Sequence, residues 1–414
     1  MSHLAKAASI RNVTFKNRII KAAMSEALAN DEGQPSQLHF GLYEAWAKGG
    51  LGCAITGNVM VDFRAKNESG VVVIESERDL VQLKQWAQIG KQYGMVQLIQ
   101  LSHPGRQCPK GLNKETVAPS AVPFSAMLAT TFGTPRELQE DEILDIIQRF
   151  ATSASICEKA GFEGVQLHGA HGYLISQFLS PLTNQRQDQW GGAIENRMRF
   201  LLETYKAVRA ATSDQFIISV KLNSADFQRG GITEDEVVAV FKAIDAAGID
   251  LIEISGGSYE APAMAGAKAD QRKTSTIARE AYFLDFAEKI RKEVTCHLMV
   301  TGGFRTVEGM NAALDSGACE FIGIARPLAV ETDLTNRLIA GQDVRYAVDK
   351  IKTGIPMIDK MAIMEIIWYA AQFKDIAQGK RPNPKLSPLK VFFHYAKGNI
   401  KTMIKGRVNS RRSA

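Results

Sequence analysis

Short apolar runs alternate with longer amphipathic stretches along most of this 414-residue chain, and that alternation limits the fold more than any other feature. The strand-like runs are Arg18–Ala23, Cys53–Gly57, Met95–Leu101, Gly164–His168, Phe216–Leu222, Leu251–Ile254, Leu298–Thr301 and Phe321–Ile324. Between them lie helix-like segments: Leu38–Lys48, Arg78–Tyr93, Glu140–Lys159, Ile194–Ala211, Glu234–Ala246, Arg279–Lys292 and Val307–Asp315, with a last one starting near Glu331. Continuous apolar strands separated by helices call for a parallel sheet covered on both faces. Eight such units predict an α/β fold closed into a (β/α)8 TIM barrel. An open doubly wound sheet is the competing architecture. The glycines argue against it, because no G-x-G-x-x-G follows a strand and no G-x-x-x-x-G-K-[ST] occurs.

The barrel is placed at residues 1–340, followed by a helical extension with a basic tail at 341–414. In the extension, Met357–Gln378 reads as a helix, Lys380–Pro388 as an extended linker and Leu389–Lys405 as a basic amphipathic helix. Ser102–Pro135, rich in Pro, Gly, Ser and Thr, is expected to form loops or a hairpin after the third strand.

Charge is unevenly spread. From Lys380 onward there are ten Lys and Arg and no Asp or Glu, so the net +6 describes a mildly acidic body with a basic tail. The body gives no reason to invoke nucleic acid. The tail's apolar and lysine-rich face is compatible with contact to an anionic membrane surface, but packing on the barrel with a disordered end is the favoured reading. The start lacks the apolar core of a secretory signal, and no apolar run approaches a membrane span. Five scattered cysteines without a C-x-x-C pair read as reduced thiols, and a cytoplasmic setting is expected.

Reactive groups in such a barrel sit at the C-terminal strand ends. Strand seven ends Thr301-Gly302-Gly303-Phe304 and strand eight Ile324-Ala325-Arg326-Pro327. The two glycines let backbone N–H groups approach an anion, and Arg326 can add a bidentate contact, so these loops form a phosphate cradle. Tight turns with a surface salt bridge are the plainer alternative. Strand four ends His168-Gly169-Ala170-His171-Gly172-Tyr173. Two imidazoles three residues apart can both donate to one oxygen and stabilise negative charge there. Tyr173 is close enough in sequence to supply a proton on the other side of the reacting bond. A metal site would need further ligands from only seven histidines, and no metal is expected; a structural role for both histidines is the other alternative. Gln100 and Lys221 point into the same mouth, where a carboxamide matches a ring edge of alternating N–H and C=O groups and a cation stabilises negative charge. Lys221 also has two rival readings, a barrel salt bridge and a Schiff-base nucleophile. Ser25 can hydrogen-bond a ring atom or cap a loop.

The stretch LHGAHGYLISQFLSPLTNQRQDQWGGAIENRMRF, Leu167 to Phe200, closely resembles the strand-four region of the old yellow enzyme family (NADH:flavin oxidoreductases). Agreement continues in KNRIIKAAM, QLSHPGRQ, VKLNSADF and TGGFRT followed by ARPL, covering roughly Ser9 to Ala340. The resemblance implies a barrel holding FMN non-covalently and an FMN-dependent ene-reductase using NADH or NADPH. It places Ala23, Ser25, Gly57 and Gln100 along the isoalloxazine and Lys221 near its N1–C2=O edge. Gly302, Gly303, Ala325 and Arg326 would hold the phosphate. His168 and His171 would bind the carbonyl of a small enone-like substrate, and Tyr173 would be the proton donor. The implied cycle is ping-pong: a nicotinamide reduces the flavin and leaves, then an α,β-unsaturated carbonyl compound enters the same pocket. A dehydrogenase or demethylase on the same flavin barrel is the alternative, and a Schiff-base lyase using Lys221 a more distant one. Four positions depart from the family pattern. Ser25 stands for Cys or Thr, Lys221 for a common Arg, Ala27 for an aromatic residue of one branch, and Trp190 for a frequent Tyr. Exposed barrel faces leave room for a homo-oligomer.

Overall fold

A computed structural model describes residues 2–125, 128–256, 283–342, 351–359 and 363–397. Eight parallel strands form the closed ring of the sheet, with a short ninth, Val72–Val73, paired beside the end of the second: β1 (Ile19–Lys21), β2 (Cys53–Met60), β3 (Val96–Ser102), β4 (Gly164–Gly169), β5 (Ile217–Asn223), β6 (Leu251–Ser255), β7 (His297–Thr301) and β8 (Phe321–Ile324). Each pairs with the next in sequence, and β8 pairs with β1, so the sheet closes into the expected (β/α)8 barrel. The helices packed outside it are α1 (Gln37–Lys48), α2 (Leu80–Gln92), α3 (Glu140–Ala160), α4 (Arg199–Ala210), α5 (Glu234–Ala246), α6 (Leu284–Ile290), α7 (Val307–Asp315) and α8 (Leu334–Ile339). Their ends follow local chemistry. Thr233 caps α5 by accepting from the Glu236 N–H while the Glu236 side chain returns to the Thr233 N–H. Gly161 ends α3 with φ 94°, the left-handed turn that glycine adopts without strain.

The barrel interior is layered. Side chains two apart on a strand share a face. At the bottom these are apolar: Leu98, Ile217, Leu251, Met299 and Phe321, all fully buried. An antiparallel hairpin, Ala8–Ile10 with Val13–Phe15, plugs this end, and Phe15 packs on Phe321 with ring centres 5.0 Å apart. Further up the same strands the inward residues turn polar: Gln100, Gln166, Lys221 and Glu253. The change from apolar to polar along one face sets which end of the barrel does chemistry.

Several boundaries differ from the sequence expectation. Strand β2 runs on to Met60, with a register shift between Ile55 and Asn58 that re-aims its upper residues. The Ser102–Pro135 segment forms loops with an antiparallel bridge between Pro109 and Phe132, and its Val117–Ala118 pairs in parallel with Arg136–Glu137. The expected Ile194–Ala211 helix is two pieces, Ile194–Arg197 and α4. The first part of the expected Arg279–Lys292 helix lies outside the described residues.

After the barrel, α9 (Ile363–Ala377) packs against α1. Trp46 and Phe373 meet edge to face at 5.4 Å, and a side chain on Gly41 would collide with the Ala377 carbonyl. The linker then folds back on the helix: Gln372 donates to the Asn383 carbonyl at 2.8 Å, and the Trp368 indole donates to the Leu386 carbonyl at 2.9 Å. Residues 388–397 are helical, and the rest of the expected tail helix lies outside the described residues. No helix among the described residues is long and apolar enough to cross a membrane.

Candidate active site

A cavity opens at the C-terminal ends of the strands. It brings together His168, His171, Tyr173, Ala23, Ser25, Gln100, Lys221, Gly302, Gly303, Ala325 and Arg326. Gly57 sits behind it: its N–H donates to the Glu26 carboxylate at 3.0 Å, and it backs directly onto the Met24 carbonyl. Ala27 is also outside the lining and takes a left-handed φ of 53°.

The strand ends are held by buried polar chains. Gln100 donates to Gln166 at 2.7 Å, and Gln166 donates to Glu253 at 2.9 Å. Glu253 also ion-pairs with Lys221 at 3.0 Å. Lys221 therefore forms the barrel salt bridge and lines the cavity at once. Glu26 performs a matching task behind the loop after β1: it accepts from Lys21 at 3.1 Å, the Tyr43 hydroxyl at 2.7 Å and the Gly57 N–H. This fixes the turn that presents Met24 and Ser25. Glu68 hydrogen-bonds Ser25 from the loop after β2. Burial pushes its carboxyl up to about 7 against that hydrogen bond, with the Glu26 charge adding to the shift.

His168 and His171 lie with ring centres 5.3 Å apart and planes nearly perpendicular. Burial holds both imidazoles well below their usual range, with the Lys221 charge adding to it, so both are neutral near pH 7. His168 Nδ1 accepts from the Ala170 N–H at 3.3 Å, which leaves Nε2 as its donor. His171 Nε2 lies 2.8 Å from the Ser255 hydroxyl. Its backbone takes the left-handed φ of 59°, a conformation that needs outside support. The Asn223 side chain accepts the His171 N–H at 3.2 Å, and Gln107 donates to its carbonyl at 2.8 Å. The Tyr173 ring is 4.5 Å from that of His168. Its phenol oxygen accepts from Asn58 and from Asn67, each at 3.2 Å.

At the β7–β8 end, Gly302 and Gly303 have φ of 108° and 94°, which leaves their N–H groups without a side chain in the way. Arg326 begins a single 3-10 turn, Arg326–Ala329, and its guanidinium donates to Glu365 at 3.3 Å. Glu365 and Tyr369 reach this end from α9. Thr301 Oγ1, Glu365 Oε1 and the Tyr369 hydroxyl are buried with no partner in hydrogen-bond geometry among the described residues. Sequence reasoning found the lining of the strand ends but not Asn67, Ser255, Glu365 or Tyr369. The signal for the sixth strand is Glu253, a charge inside an otherwise apolar run.

The five cysteines, all buried, are unpaired, and no cluster of metal ligands occurs among the described residues. Trp190 is packing, 6.5 Å from Phe178.

A closed parallel barrel whose one cavity joins Gly302, Gly303 and Arg326 to a polar floor beside a histidine pair has the lining of a flavin-nucleotide oxidoreductase. The chain belongs to the NADH:flavin oxidoreductase / NADH oxidase family, whose sequence model matches residues 4–344. It is 38% identical over 352 residues to the NADH-dependent flavin oxidoreductase iliE of Hypocrea jecorina (strain QM6a), covering 80% of this chain and 88% of that protein. To an NADPH dehydrogenase of Geobacillus sp. (strain WCH70) it is 33% identical over 325 residues, covering 77% and 88%. The old yellow enzyme homologue from Zymomonas mobilis superposes with a TM-score of 0.71 at 26% identity, covering 82% of this chain and 93% of that one. The protein is thus an FMN-dependent NAD(P)H oxidoreductase of the old yellow enzyme family. The residues present fit FMN: the glycine cradle, Arg326 and the orphaned polar atoms around it suit the phosphate end, and Gln100 and Lys221 suit the polar edge of the ring.

Proposed function

We propose that this protein reduces the activated C=C bond of an α,β-unsaturated carbonyl compound. The observation that carries the reading is the neutral His168–His171 pair beside Tyr173, on one cavity with Gln100, Lys221, Gly302, Gly303 and Arg326. Bound FMN supplies the two-electron chemistry, accepting from NADH or NADPH and giving to the substrate.

The chain's own residues do the rest. The two imidazoles donate N–H groups to the substrate carbonyl oxygen, where negative charge grows as the alkene is reduced. Because both rings are neutral, they polarise the carbonyl without fully protonating it. Tyr173 delivers the proton to Cα, and the amides of Asn58 and Asn67 stabilise the charge left on its oxygen. Ala23, Ser25 and Gln100 would line the ring, Lys221 would set a positive charge at its polar edge, and Gly302, Gly303, Ala325 and Arg326 would hold the phosphate. Engagement of Lys221 by Glu253 favours a fixed charge over a Schiff-base nucleophile.

The test is anaerobic mixing of NADH- or NADPH-treated protein with 2-cyclohexen-1-one. Return of the oxidised flavin spectrum, saturable in enone and slowed by His168→Ala, supports the proposal. A spectrum that stays bleached sinks it and moves the reading to another acceptor.

A further inference from the structure

The C-terminal helix α9 stands outside the eight strand–helix units, yet it supplies part of the cavity wall. It is docked firmly: Trp368, Tyr369 and Phe373 are at most 2% exposed. Toward the cavity it presents Glu365, Ile366 and Tyr369, at the same end as Gly302, Gly303 and Arg326. Two features there make no sense for stability alone. The Tyr369 hydroxyl is buried beside the Arg326 guanidinium and makes no hydrogen bond of good geometry among the described residues. Glu365 puts one carboxylate oxygen on Arg326 at 3.3 Å and leaves the other buried and unpartnered.

We propose that α9 completes the phosphate end of the cofactor site, with Tyr369 as a hydrogen-bond donor to the FMN phosphate and Glu365 as the internal anion that occupies Arg326 until the phosphate displaces it. A phenol is a sound phosphate ligand because it donates without adding charge. A carboxylate already on the cradle's arginine competes with an incoming dianion, and it holds the guanidinium in place while the cradle is empty. The two residues therefore act with opposite sign on affinity. This rests on the reading of Gly302, Gly303 and Arg326 as the phosphate cradle.

The experiment measures dissociation constants of FMN and of riboflavin, which lacks the phosphate, by flavin fluorescence. The full chain, stripped of cofactor and reloaded, is compared with Tyr369→Phe, Glu365→Gln and Arg326→Ala. Tyr369→Phe is expected to weaken FMN about tenfold and leave riboflavin unchanged. Its cofactor-free thermal midpoint should be nearly unchanged, because the hydroxyl has no hydrogen bond of good geometry to lose. Glu365→Gln is expected to tighten FMN. Unchanged FMN affinity in Tyr369→Phe, or equal loss for both flavins, overturns the role of Tyr369, and weaker FMN binding in Glu365→Gln overturns the displacement. Arg326→Ala separates the two layers: if it weakens both flavins equally, the phosphate-cradle reading itself fails.

Discussion

The Asn67 side-chain amide donates to the phenol oxygen of Tyr173 at 3.2 Å, across 106 residues of sequence. With Asn58 donating to the same oxygen, the phenol is oriented and its conjugate base is stabilised. Tyr173→Phe is expected to slow flavin reoxidation by enone by roughly a hundredfold, the range of a positioned general acid. Asn67→Ala should slow the same half-reaction by about tenfold. Bleaching by NADH or NADPH should stay near wild type in both, since that step needs no proton from Tyr173. Equal slowing of both half-reactions in stopped flow would contradict the assignment.

The Lys221–Glu253 pair is buried at 4% and 0% exposure, so removing one partner leaves an uncompensated charge. Glu253→Gln is expected to destabilise the protein by roughly 3–5 kcal/mol in urea unfolding. Lys221→Met in the same chain should recover much of that loss, because the stranded cation is gone. Additive losses in the double variant would show that the two residues act separately.

Packing of α9 on the barrel is also measurable. Phe373→Ala removes a fully buried ring against Trp46 and is expected to cost about 3–5 kcal/mol. A single cooperative unfolding transition, shifted as a whole, is the expected result. A separate early transition confined to the C-terminal segment would show that α9 is only loosely attached.

Stability should fall on mild acidification. Burial holds His39 and His103 down at about 4, so the folded state refuses protons that the unfolded chain accepts near 6.5. His39 also needs its Nδ1 unprotonated to accept the Ser36 N–H at 3.0 Å. Their contribution is complete above about 6.5 and is lost as pH falls toward 4, at up to roughly 1.4 kcal/mol per pH unit for each. His168 and His171 act in the same direction. Glu68 opposes them, since its raised carboxyl is favoured by protonation below about 7, and it offsets about one histidine. Urea midpoints at pH 7.5 and 5.5 should therefore drop with acid, and a rise would contradict the neutral assignment of the histidines.

Much of this site was readable because a barrel strand carries its chemistry at one end. His168, Gln100 and Lys221 each follow an apolar run by a fixed period, and Gly302 and Gly303 announce a turn. The residues that escaped notice come from elsewhere. Asn67 and Glu68 lie in a loop without periodicity, and Tyr369 sits on a helix whose apolar face looks like any other packed face. Gly57 is expected along the ring, but its N–H is taken by Glu26 and it backs onto the Met24 carbonyl. The hairpin Ala8–Phe15 has three-residue strands, too short for a pattern, and only its burial against Phe321 reveals its purpose.

Reduction of an activated alkene, with Tyr173 supplying the second hydrogen, leaves its mark in the product. The most direct measurement is mass spectrometry and NMR of the product from 2-cyclohexen-1-one with NADH or NADPH deuterated at the transferred position. The expected product is saturated ketone with one deuterium at Cβ and a solvent-derived proton at Cα. Oxidation of the nicotinamide without saturated ketone, or ketone without deuterium at Cβ, would contradict it.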